Sequence, residues 1–253
     1  MRTRAAVLLA LAVLTGPAGP ARADMPAECR VARHLVEDGL RLPGAAAAIA
    51  AKHLNVLVLG AGSSVLPGKG GVNLAYPERL RLALVEALPG VAVTLTTDVT
   101  PHRTAAQMAA ALALDLEKVK PDLLVWQTGT VDAMEGADTD EFSQALEKGI
   151  GAAKAAGAET VLVNAQYSPR TESMIALGNY AEIMRWVAVQ HEMPLFDRFA
   201  IMKLWADFGT FDFFSATKNL DMAGRVHDCI GQLLAALVVD AAKPEAPPVS
   251  GGQ

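Results

Sequence analysis

The stretch Val56-Leu57-Val58-Leu59-Gly60-Ala61-Gly62-Ser63-Ser64 runs four consecutive apolar residues straight into a turn of small ones. An apolar run without alternation reads as a strand covered on both faces, the habit of a parallel sheet between helices. The pattern repeats outward from there. Short apolar runs recur at Val91–Leu95, Leu123–Trp126, Val161–Val163 and Pro194–Phe196. Between them lie amphipathic, Ala/Leu-rich stretches at Tyr76–Leu88, Thr104–Val119, Asp140–Ala156 and Asn179–His191, and a last one at Leu220–Ala241. Strand and helix in alternation mean parallel crossovers. They predict an α/β fold, a three-layer α/β/α sandwich around a five-stranded parallel sheet of flavodoxin-like size.

The flanks divide the 253 residues further. Arg2 and Arg4, the apolar run Ala5–Leu14 and the small-residue end Ala21-Arg22-Ala23 make residues 1–23 a secretory signal peptide, with cleavage before Asp24. Ten apolar residues are about half of what a bilayer span needs, which argues against an anchor. Residues 24–53 read as an N-terminal helical segment with a helix over Ala27–Leu40, residues 54–242 as the α/β domain, and 243–253, "KPEAPPVSGGQ", as a disordered tail. The expected location is periplasmic or secreted.

Without Arg2, Arg4 and Arg22 the chain keeps 19 basic against 27 acidic residues, a net charge near −8. That balance, with no basic run, offers no phosphate-neutralising patch for a nucleic acid. No segment after the signal reads as a membrane span, so the mature chain is expected to be soluble. Cys29 and Cys229 are the two cysteines. In an oxidising compartment an even pair points to a disulfide, with two unpaired buried thiols as the alternative. Five scattered histidines show no metal-ligand spacing, and no G-x-x-x-x-G-K-[ST] or G-x-G-x-x-G motif occurs, so neither metal nor cofactor is expected.

In a parallel sheet the usable crevice lies beyond the carboxyl ends of the strands. The residues there are Gly60–Ser64 after the first run, and Asp98, His102 and Arg103 after the second. Gln127, Thr128, Gly129, Thr130 and Asp132 follow the third, Asn164, Gln166, Tyr167 and Ser168 the fourth, Asp197 and Arg198 the fifth. That is a polar rim on an apolar sheet.

In this order the fragments "VLVLGAGSS", "AYPERL", "KPDLLVWQTGTVDAM", "VLVNAQYSPR", "PLFDRFAIMKLW" and "FFSATKNLDMAGRVHDCIGQLLAAL" resemble the SGNH/GDSL hydrolase family, over about Leu54 to Val238. The resemblance implies that family's fold and an ester or acyl hydrolase chemistry. It calls for a serine nucleophile two residues after the glycine closing the first strand, a glycine N–H and an asparagine side chain in the oxyanion hole, and an Asp-x-x-His pair near the C-terminus.

The chain departs from that pattern at each position. Counting from Gly60, the nucleophile falls on Gly62, which has no side chain, and Ser63 is one step late. The loop after the second strand, Asp98-Val99-Thr100-Pro101-His102-Arg103, contains no glycine. Val131 stands where asparagine is expected, and losing such a donor typically costs about 100- to 1000-fold in rate. In the last block one register aligns His227 with the family histidine but puts Gly224 at the acid. The other keeps Phe214, Ser215, Leu220 and Met222 in step, and puts Asp221 at the histidine and the acid near Thr217. On a helix from Leu220, His227 lies roughly 9 Å along and about 120° around from Asp221, on the flank of the buried face, so in this second register it reads as a packed or partly exposed helical histidine rather than a base.

These departures read as a non-catalytic cleft. Its candidate ligand-binding residues are Ser63, Ser64, Gln127, Thr130, Asp132, Asn164 and Asp221, and its expected partner is a small polar molecule, a glycan or acyl group, or an envelope protein. The alternative is an active hydrolase with a rearranged site, in which Ser63 attacks, His227 is the base and Asp221, Asp228 or Asp132 orients it.

Overall fold

The computed structural model describes residues 25–36, 39–214 and 220–243. The signal segment 1–23, Ser215, Thr217 and the tail from 244 onward lie outside the described residues. Five strands, β1 (His53–Gly60), β2 (Ala92–Val99), β3 (Leu123–Gln127), β4 (Glu159–Val163) and β5 (Leu195–Phe196), form one sheet in the order β2-β1-β3-β4-β5. Every neighbouring pair is parallel. All five runs expected from the sequence are strands.

The helices are α1 (Pro43–Ala50), α2 (Gly71–Leu74), α3 (Tyr76–Ala87), α4 (Ala105–Val119), α5 (Thr130–Glu135), α6 (Thr139–Ala155), α7 (Pro169–Glu172), α8 (Leu177–Gln190), α9 (Arg198–Asp207) and α10 (Leu220–Ala241). The sheet grows first from β1 to β2 and then reverses to β3, β4 and β5. Right-handed crossovers therefore put α3 on one face and α4, α6 and α8 on the other. α10 packs along α3 and closes the first layer, while α4, α6 and α8 pack in a row. Local signals set several helix starts: Thr104 and Gln107 make a capping box at α4, and Asp138 and Asp197 cap α6 and α9.

Three expectations change. Residues 27–36 contain two single 3-10 turns, Ala27–Cys29 and Arg33–Leu35, in place of a continuous helix. The first is tied to α10 by a Cys29–Cys229 disulfide, so the segment is held by packing and a covalent bond rather than by its own backbone ladder. β2 is not covered on both faces: none of its residues is fully buried, as its Thr-rich sequence and edge position require. Finally, α10 is by length and composition apolar enough to cross a membrane, although the sequence reading found no such segment. Its apolar stripe, Val226, Ile230, Leu233, Leu234, Leu237 and Val238, is part of the core.

Candidate functional site

The reversal between β1 and β3 leaves a crevice at their carboxyl ends, where open α/β sheets bind ligands. β1 ends at Gly60 and the chain turns through the 3-10 turn Gly62–Ser64. Ser64 folds back over the strand end. A Cβ at Gly60 would stand 2.3 Å from Ser64 Oγ, so any larger residue there would displace the Ser64 side chain. Ser64 Oγ donates to Gln127 Oε1 at 2.7 Å, and Ala61 N–H donates to the same oxygen at 3.3 Å. With its own proton committed, Ser64 Oγ accepts from the Tyr76 hydroxyl at 3.1 Å. Burial holds the Tyr76 phenol above its ordinary pKa, against the lowering effects of the Ser64 hydrogen bond and the Arg198 charge, so it stays a donor. This buried relay locks the β1 turn to β3 and to the start of α3.

Above that floor is a cavity of about 490 Å³, lined by residues that include Gly62, Ser63, Leu66, Gln166, Tyr167, Arg198, Met202, Asp212, Phe213, Met222, Val226 and His227. Gly62 is open to it. A Cβ there would meet only Pro101 Cβ, at 4.0 Å. Among the described residues, no side chain fills the space beside Gly62.

Arg198, the first residue of α9, enters this region fully buried. Its guanidinium donates to Ser63 O at 3.2 Å, Gln166 Oε1 at 2.9 Å and Ser63 Oγ at 3.4 Å, and lies 5.7 Å from the centre of the Tyr76 ring. Burial pulls its pKa down to about 10, so it remains charged at neutral pH.

His227 is also buried, and its Nδ1 accepts from the backbone N–H of Tyr76 at 2.9 Å. A neutral imidazole has one protonated nitrogen, so Nε2 carries the hydrogen. Desolvation, and after it the Arg198 charge, push its pKa down to about 3. In a serine hydrolase the assignment is the reverse: Nδ1–H donates to a carboxylate and the Nε2 lone pair takes the serine proton. The Nδ1 lone pair of His227 is occupied, no carboxylate among the described residues hydrogen-bonds to its ring, and a neighbouring guanidinium opposes the imidazolium that base catalysis must form.

The residues expected at the rim separate sharply. Ser63 lines the cavity. Ser64, Gln127, Asp132 and Asn164 are buried and hold loops together rather than face a ligand, which corrects their assignment as binding residues. Asp132 accepts from Ala105 N–H, Gly129 N–H and the Thr128 hydroxyl, tying the β3 turn to α4. Burial raises its pKa, against the lowering by those bonds. Asn164 donates to Asp197 and accepts from Phe199 N–H, fixing the entry to α9. Thr130 Oγ1 accepts from Gln166 N–H. Asp221 is exposed at the start of α10 and is not among the cavity-lining residues.

Of the orienting acids in the alternative reading, Asp228 and Asp132 are engaged with other groups. Asp228 accepts from Gln232 and faces Arg79 at 3.7 Å, and the oxygens of Asp132 are taken. Among the described residues no hydrogen bond joins Ser63 to His227. No group of three or more His, Cys, Asp or Glu side chains there could hold a metal ion. Sequence reasoning placed Arg198 and Gln166 after their strands but did not choose them. The signal, an arginine opening a helix where the macrodipole disfavours a cation, becomes visible only once α9 is known to start at Arg198.

Residues 28–244 match the model of the non-GDSL lipase-like family. No curated protein matches the chain by sequence. Among solved structures it is similar to the lipase/acylhydrolase of Enterococcus faecalis, at 19% identity and a TM-score of 0.61 over 77% of this chain and 100% of that one. It is similar also to LAE5, an α/β hydrolase from the metagenome of Lake Arreo, at 17% and 0.59 over 74% and 96%. For TesA the values are 21% and 0.56 over 73% and 96%. These likenesses show a shared hydrolase fold.

Proposed function

The chain belongs to the non-GDSL lipase-like family, and from that premise we propose that it is an exported member that binds a ligand in the cleft without hydrolysing it. The observation that carries this reading is the hydrogen bond from Tyr76 N–H to His227 Nδ1. It makes the imidazole a donor at a cavity that Gly62, the position where a nucleophile is expected, also lines. The periplasm or cell exterior is the expected site of action, in keeping with the sequence of residues 1–23. A small polar molecule, a glycan or acyl group, or an envelope protein is the class of partner.

One observation favours a second reading, that of a rearranged esterase: Ser63 and His227 line the same cavity. The two readings separate in a direct assay. Purified mature protein and Ser63→Ala are incubated with short-chain aryl esters and with a serine-directed organophosphorus probe. We expect both proteins to match the buffer rate and neither to gain a covalent adduct. Turnover or labelling that disappears in Ser63→Ala would establish the esterase.

A further inference from the structure

Arg198 is a buried positive charge whose hydrogen-bond partners among the described residues are all neutral. Its hydrogen-bond partners are two oxygens of Ser63 and the amide oxygen of Gln166, and the face of Tyr76 adds a neutral, electron-rich surface. Its Nε is buried with no partner among the described residues. The carboxylate next to it in the chain, Asp197, is committed to Arg185 and Asn164. Asp212 lines the same cavity, where its Oδ1 accepts from Phe214 N–H, and it makes no ion pair with Arg198. A buried charge without a counter-ion is unfavourable, so its presence at a cavity calls for a negative group from outside.

The neighbouring polar groups point the same way. Ser63 Oγ accepts from Arg198, which leaves its hydroxyl proton to donate. His227, with Nδ1 occupied, presents an N–H at Nε2. Arginine, serine and histidine thus offer donors around one end of the cavity, while Leu66, Met202, Phe213, Met222 and Val226 supply apolar wall.

We propose that this cavity binds an amphiphilic monocarboxylate, its carboxylate on Arg198 and its apolar tail along the walls. The assignment rests on the ligand-binding reading of the cleft and names its ligand class. A planar guanidinium fork matches a carboxylate. Among the described lining residues Arg198 is the only lysine or arginine, which suits a singly charged group better than a doubly charged phosphate.

The test is titration calorimetry at neutral pH with octanoate, octanamide and inorganic phosphate, on the wild type and on Arg198→Met. Octanoate is expected to bind. Octanamide, with the same tail and no charge, is expected to bind about 10- to 100-fold more weakly, the usual worth of a charged hydrogen bond. Phosphate is expected not to displace octanoate, and Arg198→Met to lose octanoate affinity by a similar factor. If that variant does not fold, the octanoate–octanamide comparison on the wild type still decides. Equal affinity for the two overturns the charge requirement while leaving a ligand-binding cleft. Preference for phosphate overturns the carboxylate assignment, and no binding of any of the three overturns the proposal. Ser63-dependent ester turnover is a different failure: it removes the non-hydrolytic reading, and octanoate affinity can still be measured.

Discussion

A single backbone amide decides which nitrogen of His227 carries its proton, and the consequence can be measured as stability. The imidazole titrates near 6.5 when unfolded and near 3 in the folded protein. The unfolded state therefore binds more protons between those values, and stability falls as pH drops from 6.5 toward 3. By pH 5 the loss is roughly 2 kcal/mol. His227→Asn keeps an acceptor for Tyr76 N–H but does not titrate. Urea unfolding at pH 7.5 and pH 5 is expected to show a loss smaller by about that amount in the variant. Equal acid sensitivity in both proteins would contradict a buried neutral histidine. Ser64 and Gln127 show what was hidden at this scale. Their polarity and their place after strands made them rim residues in the sequence, yet they bond each other across 63 positions and are sealed beneath the cavity. A side chain's type says that it needs a partner, and says nothing about whether that partner is water, ligand or protein.

At the scale of elements, the α3–α10 pair carries the site, since Tyr76 opens α3 and His227 lies on α10. The two helices approach closely at Gly231, where a Cβ would stand 2.5 Å from Arg79 Cβ and 2.7 Å from Leu80 N. Gly231→Ala must push backbone atoms apart and is expected to destabilise by about 1–3 kcal/mol, despite alanine's better helix propensity. Gly151, on α6, has nothing within 4 Å of such a Cβ. Gly151→Ala should therefore stabilise by up to about 1 kcal/mol. Thermal melts of the two variants against wild type check both signs, and a stabilised Gly231→Ala would refute the close packing. The long amphipathic helices and the five strands were legible because each declares its period within a dozen residues. α9 was not anticipated. Only ten residues long, it follows a two-residue strand, and its helical start depends on Asp197, Asn164 and Arg185 meeting in space.

For the molecule as a whole, the Cys29–Cys229 bridge closes a loop across a sequence separation of 200. It fastens the segment before the first helix to the last one. A native bridge of this kind typically contributes about 2–5 kcal/mol. Cys29→Ser, or wild type under a strong reductant, is expected to melt at a lower temperature by a corresponding amount. An unchanged melting temperature would mean that packing alone holds the N-terminal turns. The same bridge lies on the helix that bears His227, so loosening it should also weaken any ligand held at the cavity.

The sequence by itself determined the layered α/β architecture, the strand runs, the pair of cysteines and the glycine at position 62. Each of these is written in local periodicity or in the identity of one residue. The tertiary structure alone decided the polarity of the cleft. Whether a histidine accepts or donates, and whether an arginine has a counter-ion, depends on groups brought from opposite ends of the chain. Tyr76 and His227 are separated by 151 positions, and Ser63 and Arg198 by 135. Electrostatic character is a property of that enclosure, because burial sets the strength of each charge and only folding creates burial.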